Sequence, residues 1–413
     1  MERNAVITPG PPPRERAWNQ PPYLPRRTPG PCKVLTVFGT RPEAIKLAPV
    51  LRAFGAYGDG FQTVNVSSAQ HTDLLYPLVR ALGIRIDYDL EVMEPGQTLN
   101  GVCARVLASL DGVLALEEPG MVLVQGDTTT ALAGALAAFN RGVTVGHIEA
   151  GLRSGDTRNP FPEEMNRRLI SRLATYHFAA TEGNRDRLLA EGVNESHVFV
   201  TGNPVVDSLK EFLTTPSELP AAREVLGQTE GLKRLVLTTH RRESFGGAMT
   251  ENLRVLRRFV RRREDVALIF PVHPNPAVVE AARKVFHRQE RVHLVEPLPY
   301  AEFVRLLARA WLIVSDSGGV QEEAPTLGRP LLVLRETTER PEAVESGVAR
   351  LVGGTPARLA AMLEEAYEPT SWAEAVRVVE NPFGRGDSGR RIARLVAELF
   401  GVESASVARR RVG

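Results

Sequence analysis

The sequence is poor in cysteine, has no excess of either charge and contains no long apolar run. Cys32 and Cys103 are the only cysteines among 413 residues, which excludes a disulfide framework and leaves too few thiols for a four-ligand zinc site. No run reaches the ~18 consecutive apolar residues that a membrane span needs. We therefore expect a soluble, cytoplasmic protein that binds no metal and no membrane.

The charges are balanced, with 51 lysines and arginines against 49 aspartates and glutamates. Nucleic acid and anionic membranes are attracted by a broad positive field, which this balance does not supply. Any anion must therefore be bound by a few local groups. The length suits two domains, each large enough to bury a core of its own.

The first 31 residues contain nine prolines and no apolar stretch typical of a signal peptide. We interpret residues 1–31 as a disordered extension. From residue 33 onward, short apolar runs alternate with turns and longer helical patterns, which indicates an α/β fold with parallel sheets. The predicted strands are 34–38, 63–66, 121–125, 144–148 and 198–200 in a first series and 235–238, 267–272, 293–295, 312–315 and 330–334 in a second.

A turn at Gly202-Asn203-Pro204 and a polar segment at 214–230 separate the two series of strands. The predicted domains are residues 32–203 and 204–378. When two open parallel sheets lie side by side, the carboxyl ends of their strands face a shared crevice, where ligands of such folds bind.

Two segments have the pattern of a phosphate site, a turn between a strand and a helix. In GTRPEAIK, Arg41 and Lys46 accompany a predicted helix start, although both could be solvated side chains on that helix. In SDSGGVQEEA, Ser317, Gly318 and Gly319 let a diphosphate approach the backbone closely, and Glu323 can accept bonds from ribose hydroxyls. The alternative for the second segment is a serine-capped helix with acidic first turns.

Three acids follow predicted strands or turns of the first domain, namely Asp127, Glu149 and Glu163. Singly, Asp127 could be a helix cap and Glu163 an acid in the first turn of a helix. Together they could face both sides of a bound sugar and divide the general acid and base roles.

The second domain adds His240, His273 and Arg340, each next to the end of a predicted strand. Such a histidine can bind a phosphate oxygen or transfer a proton, although an isolated histidine is more often a surface or capping residue. Of the two, His240 is the stronger catalytic candidate, and the alternative for Arg340 is a solvent-exposed turn. These residues indicate a site for a sugar attached to a nucleoside diphosphate.

With these segments in this order, the chain closely resembles the non-hydrolysing UDP-N-acetylglucosamine 2-epimerase family over essentially all residues after 32. The segments that carry the resemblance are QGDTTT, HIEAGLRSGD, NPFPEEMNRR, TTHRRESFG, PVHPNP and SDSGGVQEEAPTLGRPLLVLRETTERPEA. The resemblance implies two Rossmann-like domains of the glycosyltransferase-B type with the active site between them. It also implies that residues 379–413 form a terminal helix and tail that cross back onto the first domain.

The family's activity is the reversible conversion of UDP-GlcNAc to UDP-ManNAc, which serves cell-surface polysaccharide synthesis. The resemblance implies elimination of UDP to 2-acetamidoglucal and its re-addition, with no metal or nicotinamide, in a cytoplasmic homodimer. The implied diphosphate ligands are Arg41, His240, His273, Arg340 and the helix start at Ser317, with Glu323 on ribose and Lys46 on phosphate or sugar.

The acid and base candidates are Asp127, Glu149 and Glu163, and their assignment to the two faces of C2 is open. Gln70 and His71 match the family's effector site, but Thr72 stands where many bacterial members carry arginine. Three rival functions are a hydrolysing epimerase that releases ManNAc and UDP, a glycosyltransferase of the same fold, and a silent protein that only binds the nucleotide sugar.

Overall fold

The computed structural model of the protein describes residues 31–69, 72–94, 96–215, 220–239 and 247–403. The extension predicted at residues 1–31 lies outside these residues except for its last position. Within them, strands and helices alternate along the chain and form two separate parallel sheets.

The first sheet contains the strands β1 (Cys32–Phe38), β2 (Phe61–Ser67), β3 (Tyr88–Asp89), β4 (Met121–Gln125), β5 (Thr144–Ala150), β6 (Tyr176–Ala179) and β7 (Val198–Val200). Their order across the sheet is β3-β2-β1-β4-β5-β6-β7. Every residue of β4 and β5 is buried, as expected for central parallel strands that are covered on both faces.

The second sheet contains β8 (Lys233–Thr238), β9 (Val266–Pro271), β10 (Val292–Val295), β11 (Leu312–Ser315), β12 (Leu331–Val333) and β13 (Ala349–Leu351). Their order is β10-β9-β8-β11-β12-β13, again with parallel pairing throughout. The strand order thus reverses between β1 and β4 in the first sheet and between β8 and β11 in the second. Open parallel sheets bind ligands at such a switch point.

The helices connect and cover these strands. They are α1 (Arg41–Gly55), α2 (Thr72–Ala81), α3 (Leu99–Glu117), α4 (Thr129–Asn140), α5 (Glu163–Leu173), α6 (Glu182–Ala190), α7 (Pro204–Thr214), α8 (Pro220–Gln228), α9 (Gly247–Arg262), α10 (Pro276–Phe286), α11 (Tyr300–Leu307), α12 (Gly318–Leu327), α13 (Pro341–Glu345), α14 (Pro356–Tyr367), α15 (Trp372–Ala375) and α16 (Ser388–Phe400).

The strand predictions are largely confirmed. Each of the ten predicted strands overlaps an observed one, and three further strands, β3, β6 and β13, were not predicted. Two of these three lie at an edge of their sheet and have two or three residues. Segments this short do not show enough of a period to be recognised.

Helix α3 has an apolar composition. Among the described helices, α3 is long and apolar enough, by length and composition, to cross a membrane. In the fold it packs against α4, with Val106 and Leu110 fully buried. Its charged residues Arg105 and Asp111 form ion pairs with Glu94 and Arg141. The helix is therefore part of the packing of the first domain.

The two domains share a continuous apolar core. One hydrophobic cluster contains residues from both sheets, such as Phe38 of β1 and Ile313 of β11. Helix α7 links them, because it contacts α1 and α16 on one side and α11 and α12 on the other. Helix α16 packs closely on α1, where the backbone of Gly389 lies against Pro49.

The amino-end edge of the first sheet holds both ends of the described chain. The amide of Gly120, just before β4, donates to the carbonyl of Lys33 at 2.9 Å. The ring of Phe400, the last residue of α16, lies against Gly120 so closely that a Cβ there would be 2.8 Å from it. At the opposite, carboxyl-end edge lie Glu149, near the end of β5, and Asp127, just after β4.

Candidate active site

The last residues of β5 hold Glu149 in an unusual backbone conformation. Its φ angle is +67°, in the left-handed region that residues other than glycine seldom adopt. The pairing of β5 with β6 shifts register between Ile148 and Ala150, so a bulge interrupts the alternation of side chains. Strain of this kind persists where the surrounding structure enforces it, often at functional sites.

Glu149 belongs to a buried group of charges that joins the two domains. Lys46 of α1 forms ion pairs with Glu149 and, at 2.7 Å, with Glu322 of α12. Arg340, at the start of α13, lies 2.5 Å from Glu322 and 3.7 Å from Glu149. We call Lys46, Glu149, Glu322 and Arg340 the interdomain ion cluster. The fold therefore brings together three residues that the sequence singled out, Lys46, Glu149 and Arg340.

Burial raises the pKa of Glu149, and the neighbouring carboxylate of Glu322 raises it further, while Lys46 and Arg340 oppose the rise. Burial also favours a neutral Lys46, but the negative charges of Glu149 and Glu322 outweigh it and raise the pKa of Lys46. The lysine is thus held as a cation. The carboxyl of Glu149 has an increased affinity for a proton, which suits a group that transfers protons.

Two side-chain amides complete the surroundings of Glu149. Gln125, at the end of β4, donates to its Oε2 at 3.1 Å, and Asn203, the cap of α7, donates to the same oxygen at 3.3 Å. These bonds come from two different elements. They fix the orientation of the carboxyl group in the cleft.

Glu322 is a member of the interdomain ion cluster that sequence reasoning missed. It is fully buried, and although burial opposes its ionisation, Arg340 and Lys46 outweigh that effect and lower its pKa. Arg340 also pairs with Glu339 at 2.5 Å, and Glu339 in turn pairs with Arg335 at 2.8 Å. The sequence offered a signal, an acidic pair at 322–323, but we assigned a role only to its second member.

Glu323 points into a different environment from its neighbour. It accepts a hydrogen bond of 2.8 Å from the hydroxyl of Tyr300, the first residue of α11. Burial raises the pKa of Glu323 to about 7, and it raises the pKa of Tyr300 as well. Arg41 lies near this pair, since its positive charge opposes the rise at Tyr300. The sequence did not single out Tyr300.

The predicted phosphate loop at the start of α12 adjoins the ion cluster. Ser317 is the N-cap residue of α12, and the helix begins at Gly318. A Cβ at Gly318 would lie 2.8 Å from the guanidinium of Arg340, whereas a Cβ at Gly319 would meet nothing closer than 3.8 Å. Arg340 therefore lies across a helix start whose amides can bind an anion.

Asp127 and Glu163 form a second acidic group on the first domain. Arg167 of α5 lies 3.2 Å from the carboxylate of Asp127, and Asn166 donates to the carbonyl of Asp127 at 2.8 Å. Glu163 begins the same helix and is half-buried. Helix α5 thus carries Glu163 and also the two residues that contact Asp127, and a shared site for the two acids stays a prediction.

The contacts given above do not include every predicted residue. His273 follows β9, is exposed, and its ring nitrogen accepts a bond of 3.2 Å from the amide of Asn275. That bond belongs to the turn before α10. His240, Gln70 and His71 lie outside the described residues, so their roles stay predictions.

No group of three His, Cys, Asp or Glu side chains in the described parts of the chain has the arrangement of a metal site. The charges that converge at the cleft are instead paired cations and carboxylates. Lysine and arginine beside a helix start can bind an anion such as a diphosphate, and buried carboxyls can transfer protons.

A family model described as UDP-N-acetylglucosamine 2-epimerase matches residues 57–397. The chain belongs to the UDP-N-acetylglucosamine 2-epimerase family. This epimerase-family chain is 44% identical over 366 residues to a UDP-N-acetylglucosamine 2-epimerase of Yersinia pestis, which covers 87% of this chain and 97% of that protein. The family predicted from the sequence motifs is confirmed.

Solved structures give the same result. The UDP-GlcNAc 2-epimerase of Neisseria meningitidis, in a crystal structure bound to UDP-GlcNAc, matches with a TM-score of 0.83 and 39% identity, over 89% of this chain and 100% of that one. A kitacinnamycin glycotransferase matches with a TM-score of 0.58 at 14% identity, over 91% and 100% of the two chains, which shows the fold only. The prediction of two parallel-sheet domains of the glycosyltransferase-B type is confirmed.

Proposed function

We propose that this chain interconverts UDP-GlcNAc and UDP-ManNAc by eliminating and re-adding UDP, without net hydrolysis. The interdomain ion cluster is the observation that carries the proposal. It places two cations, Lys46 of the first domain and Arg340 of the second, beside Glu149. The guanidinium of Arg340 also lies against Gly318, at the start of α12. A nucleotide sugar bound across the cleft would have its diphosphate at the cations and its sugar ring at the acids.

The chemistry requires this combination. The C2 hydrogen of the sugar has no adjacent carbonyl to acidify it, so cleavage of the C1–O bond must create positive charge before or as the proton leaves. The bonding electrons depart with UDP, and cations on the diphosphate stabilise them. Arg340, Lys46 and Arg41, together with the amides that follow Ser317, would serve this step. Glu323 would accept the ribose hydroxyls.

Inversion at C2 requires a proton to leave one face and another to arrive on the opposite face. A carboxylate takes the C2 proton, the C1–C2 double bond forms, and UDP leaves. A different carboxyl group then protonates C2 on the other face while the UDP oxygen attacks C1. Glu149, with its raised pKa, and the pair Asp127 and Glu163 provide acids on separate elements.

Water exclusion supports the non-hydrolysing form of the reaction. The cluster side chains of Lys46, Glu149, Glu322 and Arg340 are at most 8% exposed. A released UDP held between these walls can return to C1 before water enters. We expect this reaction to proceed in the cytoplasm without metal, nicotinamide, nucleic acid or membrane, and to supply polysaccharide synthesis.

The test is proton NMR of the purified protein with UDP-GlcNAc in deuterium oxide and EDTA. Loss of the C2 proton signal together with new UDP-ManNAc resonances is the expected result. Free ManNAc with an equal amount of UDP would instead identify a hydrolysing enzyme. No change in the sugar signals would contradict epimerase activity on this substrate, and a rate restored by added Mg²⁺ would contradict metal independence.

We also propose a homodimer, in line with the resemblance. An exposed apolar stripe suited to a second copy runs along α5. It consists of Phe161, just before the helix, and of Met165 and Leu169 within it, which follow at intervals of four residues and are 66%, 40% and 45% exposed. Light scattering of the wild type should give twice the chain mass of 45.3 kDa. The Met165→Glu variant should give the mass of a single chain. A monomeric wild type would contradict the proposal.

A further inference from the structure

A second contact between the domains lies behind the ion cluster. Glu342, in the first turn of α13, accepts hydrogen bonds from Thr181 at 2.9 Å and from Asn184 at 3.3 Å, and it pairs with Arg187 at 3.5 Å. All three partners belong to α6 or its N-cap in the first domain. The carboxylate side chain is only 11% exposed. We call Glu342 with Thr181, Asn184 and Arg187 the α6 latch.

The partner helix is shaped to admit this carboxylate. Gly183 lies in the first turn of α6, and a Cβ there would be 3.1 Å from Glu342 Oε1. A negative charge at this position also meets the positive end of the helix dipole of α6. The hydroxyl of Thr181, the amide of Asn184 and the guanidinium of Arg187 all meet the carboxylate of Glu342 at this helix start.

The latch is connected to the catalytic candidates at both of its ends. On the second domain, Glu342 follows Arg340 by two residues, so the latch fixes the segment that aims Arg340 at the cleft. On the first domain, Asn184 packs against Gly151, where a Cβ would collide with its carbonyl oxygen. Gly151 follows Glu149 by two residues. The contacts thus form a closed loop from Arg340 through Glu342 and α6 to Glu149, because Arg340 also lies 3.7 Å from Glu149.

We propose that Glu342 is a positioning residue, which locks α13 onto α6 and so holds Arg340 opposite Glu149 when the domains close. The inference rests on the proposed function, in which Arg340 stabilises the departing diphosphate. Glu342 itself touches neither the ion cluster nor the phosphate loop in any described contact. It acts through Arg340, by holding the two domains in the arrangement that brings Arg340 to Glu149.

This role predicts a separation of turnover from nucleotide binding. The nucleotide elements Ser317 to Gly319 and Glu323 belong to the second domain, so they remain intact when the latch is lost. Glu342→Ala should lower kcat at least tenfold while the Kd for UDP changes less than twofold. Glu342→Gln, which keeps an acceptor oxygen for Thr181, should fall between Glu342→Ala and the wild type.

A double-mutant cycle tests whether Glu342 acts through α6. Asn184→Ala should also lower kcat, and the double variant should be no more than twofold worse than Glu342→Ala, since partners in one contact are not additive. Glu345→Ala is the matched control, because Glu345 is an exposed acid on the same helix. It should retain the wild-type kcat.

Small-angle scattering with saturating UDP measures closure without turnover. The wild type and Glu345→Ala should give the same radius of gyration, and Glu342→Ala a larger one. A wild-type kcat in Glu342→Ala, or multiplication of the two single effects in the double variant, would overturn the inference. If the wild type does not convert UDP-GlcNAc, the proposed function fails. The latch is then judged by scattering alone, and an unchanged radius of gyration in Glu342→Ala would overturn it.

Discussion

Opposing effects meet at the carboxyl group of Glu149. Burial favours its protonated form, while Lys46 and Arg340 favour the ionised form. Its left-handed backbone, with φ of +67°, adds strain that an ordinary helix or strand position would avoid. The balance is suited to a group that gains and loses a proton during one catalytic cycle.

Replacing each candidate acid by its amide isostere tests the proton-transfer roles. Asp127→Asn, Glu149→Gln and Glu163→Gln should each lower turnover by about 10² to 10⁴-fold, because a positioned acid or base contributes about that much. UDP binding should persist, since side-chain volume hardly changes. Asp111→Asn, which alters an exposed ion pair on α3, is the control. Wild-type rates in all three variants would refute the assignment.

Glu323 gives a prediction about pH. Its pKa is raised to about 7, so the carboxylate proposed to accept the ribose hydroxyls is depleted below that pH and predominates above it. Affinity for UDP-GlcNAc should therefore rise about tenfold from about pH 6 to about pH 8, following the ionised fraction. Isothermal titration calorimetry measures it, and a diphosphate diester does not itself titrate there.

Glu323→Gln is the control for this pH effect. The amide does not titrate, so its binding should be weaker than that of the wild type at about pH 8 and should not vary with pH. An equally steep pH dependence in this variant would assign the titration to another group.

The residue roles show where sequence reasoning reaches its limit. Motif spacing predicted Glu149 and Arg340, because a polar residue after a strand faces the crevice of a parallel sheet. It predicted Lys46 because a cation near a helix start can bind a phosphate. It did not predict Glu322, since adjacent helical residues point about 100° apart and the sequence does not say which faces the partner domain. Tyr300 was missed for a similar reason, because its contact with Glu323 depends on how α11 packs.

At the scale of elements, the docking of α16 on α1 depends on one glycine. A Cβ at Gly389 would lie 2.5 Å from the carbonyl oxygen of Pro49, in the middle of α1. Gly389→Ala should therefore push the two helices apart and lower the free energy of unfolding by about 1 to 3 kcal/mol, as overpacking does. The urea midpoint of unfolding measures this loss.

Gly112 provides the opposite case on α3. A Cβ there would meet nothing within 4 Å, so Gly112→Ala should stabilise by about 0.5 to 1 kcal/mol through helix propensity. If both alanine variants shifted the midpoint in the same direction, the close packing of α16 on α1 would not be the cause.

Strands were predictable from the sequence where a buried strand gives a continuous run of apolar residues. The apolar runs of β4 and β11 were placed at their observed bounds, because both strands are covered on both faces. By contrast, β6 has four residues and contains His177, whose pKa burial lowers to about 3. A buried neutral histidine looks polar in the sequence, so this strand was hidden.

At the scale of the whole molecule, the shared core predicts one unfolding event for both domains. One apolar cluster runs from the first sheet through α7 to the second, so separating the domains exposes part of it. Unfolding in urea should give coincident curves for far-UV circular dichroism and for tryptophan fluorescence.

The fluorescence signal can be assigned to one domain. Trp311 and Trp372 both lie in the second domain, and Trp18→Phe removes the remaining tryptophan. Two separated transitions in this variant would show that the cluster does not couple the domains. In Gly389→Ala, weaker docking of α16 should begin to separate the two curves.

The closeness of Lys33, Gly120 and Phe400 has a practical consequence. Both ends of the described chain leave at the amino-end edge of the first sheet, whereas the acids follow the opposite ends of β4 and β5, a strand length or roughly 20 Å away. A protein attached to a sensor chip or resin through a side chain near Lys33 or Phe400 would keep its cleft facing the solution. Immobilised turnover assays are therefore feasible without redesigning the attachment.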